Sequence, residues 1–291
     1  MENTNVQETK KISQLYLQKL GIFNEIIEPT LENLNRLLEL HVQNIAFGNF
    51  NPFLGLPVEL DITTLVEKIL VQGQDAYCFE HNVLAKNVLN ELGYDAFNLL
   101  CRVYYKSHPT ESPAKTHLVT IVRLNDEVYL FDPGFGGMTP TSVLSIHSLE
   151  TSQVTLNESF RLIQVTDSGI AESALFDMKY MLQVCVSGEW ENVYAFNPEQ
   201  IAADSDIKIA NWFMSTYPKC PFTRNLILSI VKQDKRYNFS NGVLNIHHKN
   251  NQTQQQIVKS DDELKEIFIS IFKLNLDAFN IDDAIHKFQA L

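Results

Sequence analysis

Three observations predict an α+β fold, with helices first, an antiparallel β region next and a mixed tail. Apolar residues recur at helical spacing through roughly the first ninety residues. From about residue 95 the period falls to two, punctuated by Gly, Pro, Asn and Asp. Near residue 198 the helical pattern returns, and further strands and a helix follow.

Each element has a local reason. Ile12, Leu15, Tyr16 and Leu20 recur at helical spacing and stop before Gly21, which suits a left-handed helix end. A second helix starts near Pro29-Thr30 and carries Leu31, Leu34, Leu37 and Leu38. Asp61-Ile62-Thr63-Thr64 precedes a short helix with Leu65, Ile69 and Leu70. A fourth runs from about Cys78 to Leu92, striped by Leu84, Val88 and Leu92, and ends at Gly93. Strands are predicted at 98–104, 118–123, 128–131, 160–165, 179–186 and 193–196. A helical stretch at 198–217 leads to strands at 226–232, 236–239 and 243–247. The Gln-rich tract 250–256 reads as an exposed loop. Ser260 to Glu263 forms a capping box, and Leu264, Ile267, Phe268, Ile271 and Phe272 continue the last clear helix.

A chain of 291 residues buries a sizeable core without disulfides or metal. The net charge of −12 argues against nucleic acid or an anionic membrane as the main partner. The opening MENTNVQETKKISQ has no apolar core, so no signal peptide is expected, and no apolar run is long enough to span a bilayer. Cys78, Cys101, Cys185 and Cys220 lie far apart without a CxxC pair, so no metal site is expected. The reduced cytoplasm is the expected compartment.

The chemistry centres on Cys78, in AYCFEHN at the start of a helix. The positive end of a helix macrodipole favours a thiolate there. A lone cysteine is more often a small buried hydrophobe, so partners matter. THLVTIVRLNDEVYLFDPGFGG reads as a β-hairpin turning at Asn125-Asp126, with Leu124 opposite Glu127. That register puts His117 and Asp132 on one face as diagonal neighbours, roughly 7–8 Å apart at the backbone. An imidazole accepts the proton of a thiol, and a carboxylate on the other ring nitrogen fixes the tautomer. Structural alternatives are a satisfied core histidine for His117 and a turn or cap role for Asp132. The order Cys, His, Asp suits a thiol hydrolase, a transglutaminase-like enzyme or an acyltransferase.

AYCFEHN around Cys78, THLVTIV from His117 and FDPGFGG from Asp132 resemble the arylamine N-acetyltransferase family. The spacings, 39 and 15 residues, are similar to the family's. Weaker echoes are YLQKLGIF, TLENLNRLLELHVQNIAF and NWFMSTYPKCPF. The resemblance implies an N-terminal helical bundle over 1–94, a central antiparallel β-barrel over 95–197, and linking helices with a C-terminal α/β lid over 198–291. It also implies a cysteine-protease-like Cys78-His117-Asp132 core. Acetyl would pass from acetyl-CoA to Cys78, then to an arylamine, hydrazine or N-hydroxyarylamine. No metal is implied, and the expected state is a monomer or homodimer. Gly134 and Gly136 in the Gly-rich turn, and Thr216, are the implied cofactor contacts, with Ser215 nearby. Tyr77, Phe79 and Phe135 flank the triad residues and are candidates to line an aromatic-amine pocket, with core packing as the alternative reading. An amide synthase on the same scaffold is the alternative, and a degenerate binding protein a third reading.

Two segments depart from the family. Gln74, Asp75 and Ala76 stand where it has Arg-Gly-Gly, and Gly48 stands where it has Glu in Pro-Phe-Glu-Asn. Arg and Glu are expected to pair in the family, and both are missing here, as in a coordinated change. Asp75 is expected to cap the Cys78 helix or to point toward backbone N–H groups, away from the thiol.

Overall fold

Polar and glycine residues punctuate several of the helices, with Gly21 and Gly93 just past the ends of the first and fifth. The computed structural model describes residues 11–233, 235–249 and 252–289. The first ten residues of the leader-peptide reading lie outside these. The helices are α1 (Ile12–Lys19), α2 (Leu31–Asn44), α3 (Phe50–Leu54), α4 (Ile62–Leu65), α5 (Cys78–Glu91), α6 (Glu172–Leu175), α7 (Asp204–Thr216), α8 (Pro221–Arg224), α9 (Asp261–Ser270) and α10 (Ile281–Gln289). A π-helical turn, Val66–Val71, continues α4. Thr30 caps α2 through Asn33 N–H, Asp61 caps α4, and Ser260 caps α9 through Glu263 N–H.

The strands are β1 (Phe47–Gly48), β2 (Asp95–Val103), β3 (Lys115–Leu124), β4 (Glu127–Phe131), β5 (Leu144–Ser145), β6 (Gln153–Val154), β7 (Ser159–Gln164), β8 (Tyr180–Val186), β9 (Glu189–Phe196), β10 (Ile227–Lys232), β11 (Lys235–Ser240), β12 (Val243–His248) and β13 (Thr253–Ile257). Eight of them form a nearly closed, barrel-like antiparallel sheet in the order β5-β4-β3-β2-β9-β8-β7-β6. The Gln153 side-chain amide bridges its end strands, donating to Ser145 O and accepting from Ser145 N. The other sheet runs β1-β10-β11-β12-β13.

The β3–β4 hairpin has the expected register, Leu124 opposite Glu127 and Thr120 opposite Phe131. β3 is buried on both faces. Leu118 and Val122 pack in the cluster with α5, while Val119 and Ile121 fill the barrel interior. His117 shares the parity of the interior pair, which sets it toward the barrel's end.

Three expectations need correction. The Gln-rich tract carries a strand, β13, rather than a plain loop, because Gln254 to Gln256 pair with β12 and satisfy their backbone there. Asn250 and Asn251 of that tract lie outside the described residues. A further helix, α10, follows the last helix read from sequence. The N-terminal helical region contributes strand β1 to the C-terminal sheet, where Phe47 pairs with Ser229. Among the described residues no helix is long and apolar enough to cross a membrane.

Candidate active site

α5 delivers the thiol. Cys78 is its first residue, behind Tyr77 at the N-cap position. The Glu80 carboxylate reaches back to accept from Tyr77 N–H at 3.0 Å. Its other oxygen receives the Lys68 ammonium, brought up by the π-helical turn, at 2.6 Å.

The hairpin delivers the other two groups. His117 Nε2 lies 2.9 Å from Asp132 Oδ2, with both residues buried. Three further donors fix the carboxylate. Tyr194 OH donates to Oδ2 at 2.9 Å, and Gly134 N–H and the Asn82 amide donate to Oδ1 at 3.0 and 3.2 Å. Burial alone raises the Asp132 carboxyl. The His117 charge and hydrogen bond, the Gly134 N–H and the Asn82 amide outweigh it and hold the group below the usual carboxylate range.

Cys78 and His117 line one cavity of about 400 Å³. With Nε2 engaged by Asp132, Nδ1 is the ring nitrogen left for the thiol. The two are not hydrogen-bonded among the described residues. The N–H groups of Leu118 and Phe79 favour the charged form of the thiol. Burial, with the Asp132 charge in support, nevertheless pushes the thiol up. Cys78 does open a helix, yet its proton leaves readily only if a neighbouring base takes it.

The remaining expected residues divide. Gly134 and Phe135 line the cavity, and the Phe135 ring stands edge-on to His117 at 5.0 Å between centroids. Gly134 is also required by packing, since a Cβ there would sit 3.0 Å from Cys78 Cα and 2.8 Å from Asn82 Nδ2. Gly136, at φ +77°, lies against the Phe47 ring and outside that cavity. Thr216 lines a separate cavity of about 660 Å³ with Ser215, and its hydroxyl donates to Trp212 O. Tyr77 is fully buried, is not among the residues lining the thiol cavity, and donates its hydroxyl to the Asn211 side chain. The walls are instead Phe47, Val103, Phe213, Met214, Tyr217 and Phe222.

Asp75 does not cap α5. Its carboxylate is wholly buried, accepts from Phe50 N–H at 3.0 Å and stands 3.8 Å from Lys68 Nζ. A Cβ on Gly48 would lie 2.5 Å from Asp75 Oδ2. A side chain at position 48 and the Asp75 carboxylate in this place are therefore sterically exclusive. Gln74 bonds to Ala278 O in place of an ion pair.

Sequence reasoning missed Asn82, Tyr194 and Lys68. Asn82 sits one helical turn after Cys78, so the i, i+4 spacing signalled it. Tyr194 comes from β9, 62 residues from its partner, and no local signal points to it. Lys68 carries no motif. Among the described residues no group of His, Cys, Asp or Glu gathers to hold a metal ion.

Comparison with known proteins identifies the family. A model of the N-acetyltransferase family matches residues 30–281. The chain is similar to arylamine N-acetyltransferase of Mycobacterium tuberculosis, with 36% identity over 76% of this chain and 75% of the relative. It is 31% identical, over 74% of this chain and 70% of the relative, to the arylamine N-acetyltransferase / N-hydroxyarylamine O-acetyltransferase of Salmonella typhimurium. It superposes on the Mycobacterium marinum arylamine N-acetyltransferase in complex with CoA with a TM-score of 0.86 and 30% identity, covering 96% of this chain and 99% of that one. The chain therefore belongs to the arylamine N-acetyltransferase family.

Proposed function

We propose that this protein transfers acetyl from acetyl-CoA to arylamines, hydrazines or N-hydroxyarylamines in two half-reactions through acetyl-Cys78. The observation that carries the reading is a buried His117–Asp132 pair whose imidazole shares one apolar cavity with the Cys78 thiol.

In the first half-reaction His117 Nδ1 takes the thiol proton as Cys78 Sγ attacks the thioester carbonyl. Asp132, held ionised by its donors, stabilises the imidazolium and keeps Nδ1 toward the sulfur. The carbon–sulfur bond to CoA breaks, and the departing thiolate takes the proton from His117. In the second, His117 removes a proton from the incoming amine as its nitrogen attacks acetyl-Cys78, and the Cys78 thiol is regenerated. Resting catalytic contacts are often longer than those in the reacting complex, which accommodates an unbonded thiol.

Phe47, Phe135, Phe213 and Phe222 give an aromatic amine flat apolar walls. Gly134, whose lack of a side chain leaves the backbone open beside Cys78, is assigned to the acyl donor's approach. Gly136 and Thr216 are assigned to its more distant parts, and Tyr77 to the support behind the pocket. Steady-state acetylation of a simple arylamine by acetyl-CoA is the test. Turnover that Cys78→Ala abolishes is expected. Turnover surviving in that variant, or none with any acyl-CoA, overturns the reading.

A further inference from the structure

The cavity that holds Cys78 holds a second thiol. Cys220 lines it too, from the turn joining α7 to α8. Both cysteines are nearly buried, at 3% and 4% exposure, and both belong to one apolar cluster. Their flanking residues interlock: the ring of Tyr77, adjacent to Cys78, meets that of Phe222, two residues past Cys220, at 6.0 Å, and Phe47 meets Phe222 at 5.9 Å. Cys78 opens α5, and Cys220 sits at the cap position of α8. Neither remaining cysteine competes from inside this cavity. Cys185 lines another, and Cys101 is wholly buried in the barrel interior.

Nothing in acyl transfer uses Cys220. Its side chain makes no cap bond to α8. A thiol placed beside a reactive cysteine has a distinct chemistry open to it, which is to resolve an oxidised partner before further oxidation.

We propose that Cys220 is a resolving thiol for Cys78, so that a hydroperoxide converts the pair to a reversible Cys78–Cys220 disulfide that closes the acyl-transfer site. The inference rests on the proposed reactivity of Cys78. The Cys78 thiolate attacks one peroxide oxygen; a sulfur–oxygen bond forms and the oxygen–oxygen bond breaks. Sulfur loses two electrons, and the peroxide leaves as an alcohol or water. The Cys220 sulfur then attacks the sulfenic sulfur. A sulfur–sulfur bond forms, the sulfur–oxygen bond breaks, and hydroxide departs with the Cys220 proton as water. A dithiol reverses the result by exchange.

Two samples of the reduced full-length chain test this by intact mass and peptide mapping. One receives hydrogen peroxide, the other acetyl-CoA. With peroxide the unchanged protein is expected to lose about 2 Da, recovered with dithiothreitol, with the Cys78 and Cys220 peptides joined. Cys220→Ser and Cys220→Ala are each expected to gain about 32 Da at Cys78 instead, as the irreversible sulfinic acid. Equal build-up of sulfinic acid with and without Cys220, or a link from Cys78 to Cys101, overturns the inference. The acetyl-CoA sample reports on acyl transfer separately. Acetylation without the disulfide sinks only the resolving role, and the disulfide without acetylation sinks only the transfer.

Discussion

Four donors converge on the Asp132 carboxylate, and this fixes what His117 can do. Nε2 is committed, so Nδ1 is the ring nitrogen left for the sulfur. Burial opposes a bare thiolate at Cys78, so its reactivity at neutral pH depends on the imidazole. Iodoacetamide labelling of Cys78 checks this. His117→Gln is expected to slow labelling at pH 7 by about 100-fold or more, with rates recovering only well above the range of a free cysteine. Unchanged labelling at pH 7 would show that the thiolate forms without His117. Loss of labelling in the Cys78 helix through misfolding is separable, because the far-ultraviolet spectrum reports it.

At the scale of elements, α5, β1 and the turn after β4 press together around the thiol, and small residues set how closely. Gly48 is one such residue, since any side chain there meets the Asp75 carboxylate. Gly48→Ala is expected to lower stability by about 1–3 kcal/mol, read from the urea midpoint. A midpoint unmoved by that change means that Asp75 can swing aside and that the exclusion is not real. Much of this scale was legible in advance. The hairpin register followed from a two-residue turn at Asn125-Asp126, and it brought His117 and Asp132 together as expected. Helix starts at Thr30, Asp61 and Ser260 followed from short polar side chains. What stayed hidden was non-local. Tyr194 reaches Asp132 across the barrel, and the Gln254–Gln256 strand exists only because β12 is there to pair with it. Tyr77 looked like a pocket residue by adjacency to Cys78, but opening a helix turns neighbouring side chains in different directions.

For the whole molecule, apolar clusters cross the proposed division at residues 94 and 197. Ala46, Phe50 and Phe53 share a core with Leu228, Phe239, Phe268 and Ile285. The cluster that holds Cys78 likewise gathers residues from Tyr16 to Val231. A buried chain of hydrogen bonds runs from Tyr16 OH to His41 Nδ1 at 2.8 Å and from His41 Nε2 to His81 Nδ1 at 2.7 Å. Burial pushes His81 down to about 3 and His41 well below its ordinary value. The unfolded chain thus binds more protons than the folded one once pH falls below about 6.5. Stability from these two groups is complete above that pH and drains away as pH falls toward 3, by up to about 1.4 kcal/mol per pH unit for each. Urea unfolding at pH 7.5 and 5.5 is expected to show the loss, and His41→Gln to reduce its slope. An equally steep slope in that variant would assign the loss to other groups.

The central claim is that the sulfur of Cys78 itself carries the acyl group. Intact mass spectrometry after mixing with a panel of acyl-CoA thioesters, followed by an arylamine, tests this most directly. The expected result is a gain of about 42 Da with acetyl-CoA, mapped to Cys78, absent in Cys78→Ala and in His117→Gln at short times, and discharged when the amine is added. An enzyme that acetylates the amine while no acyl mass ever appears on Cys78 would contradict the account.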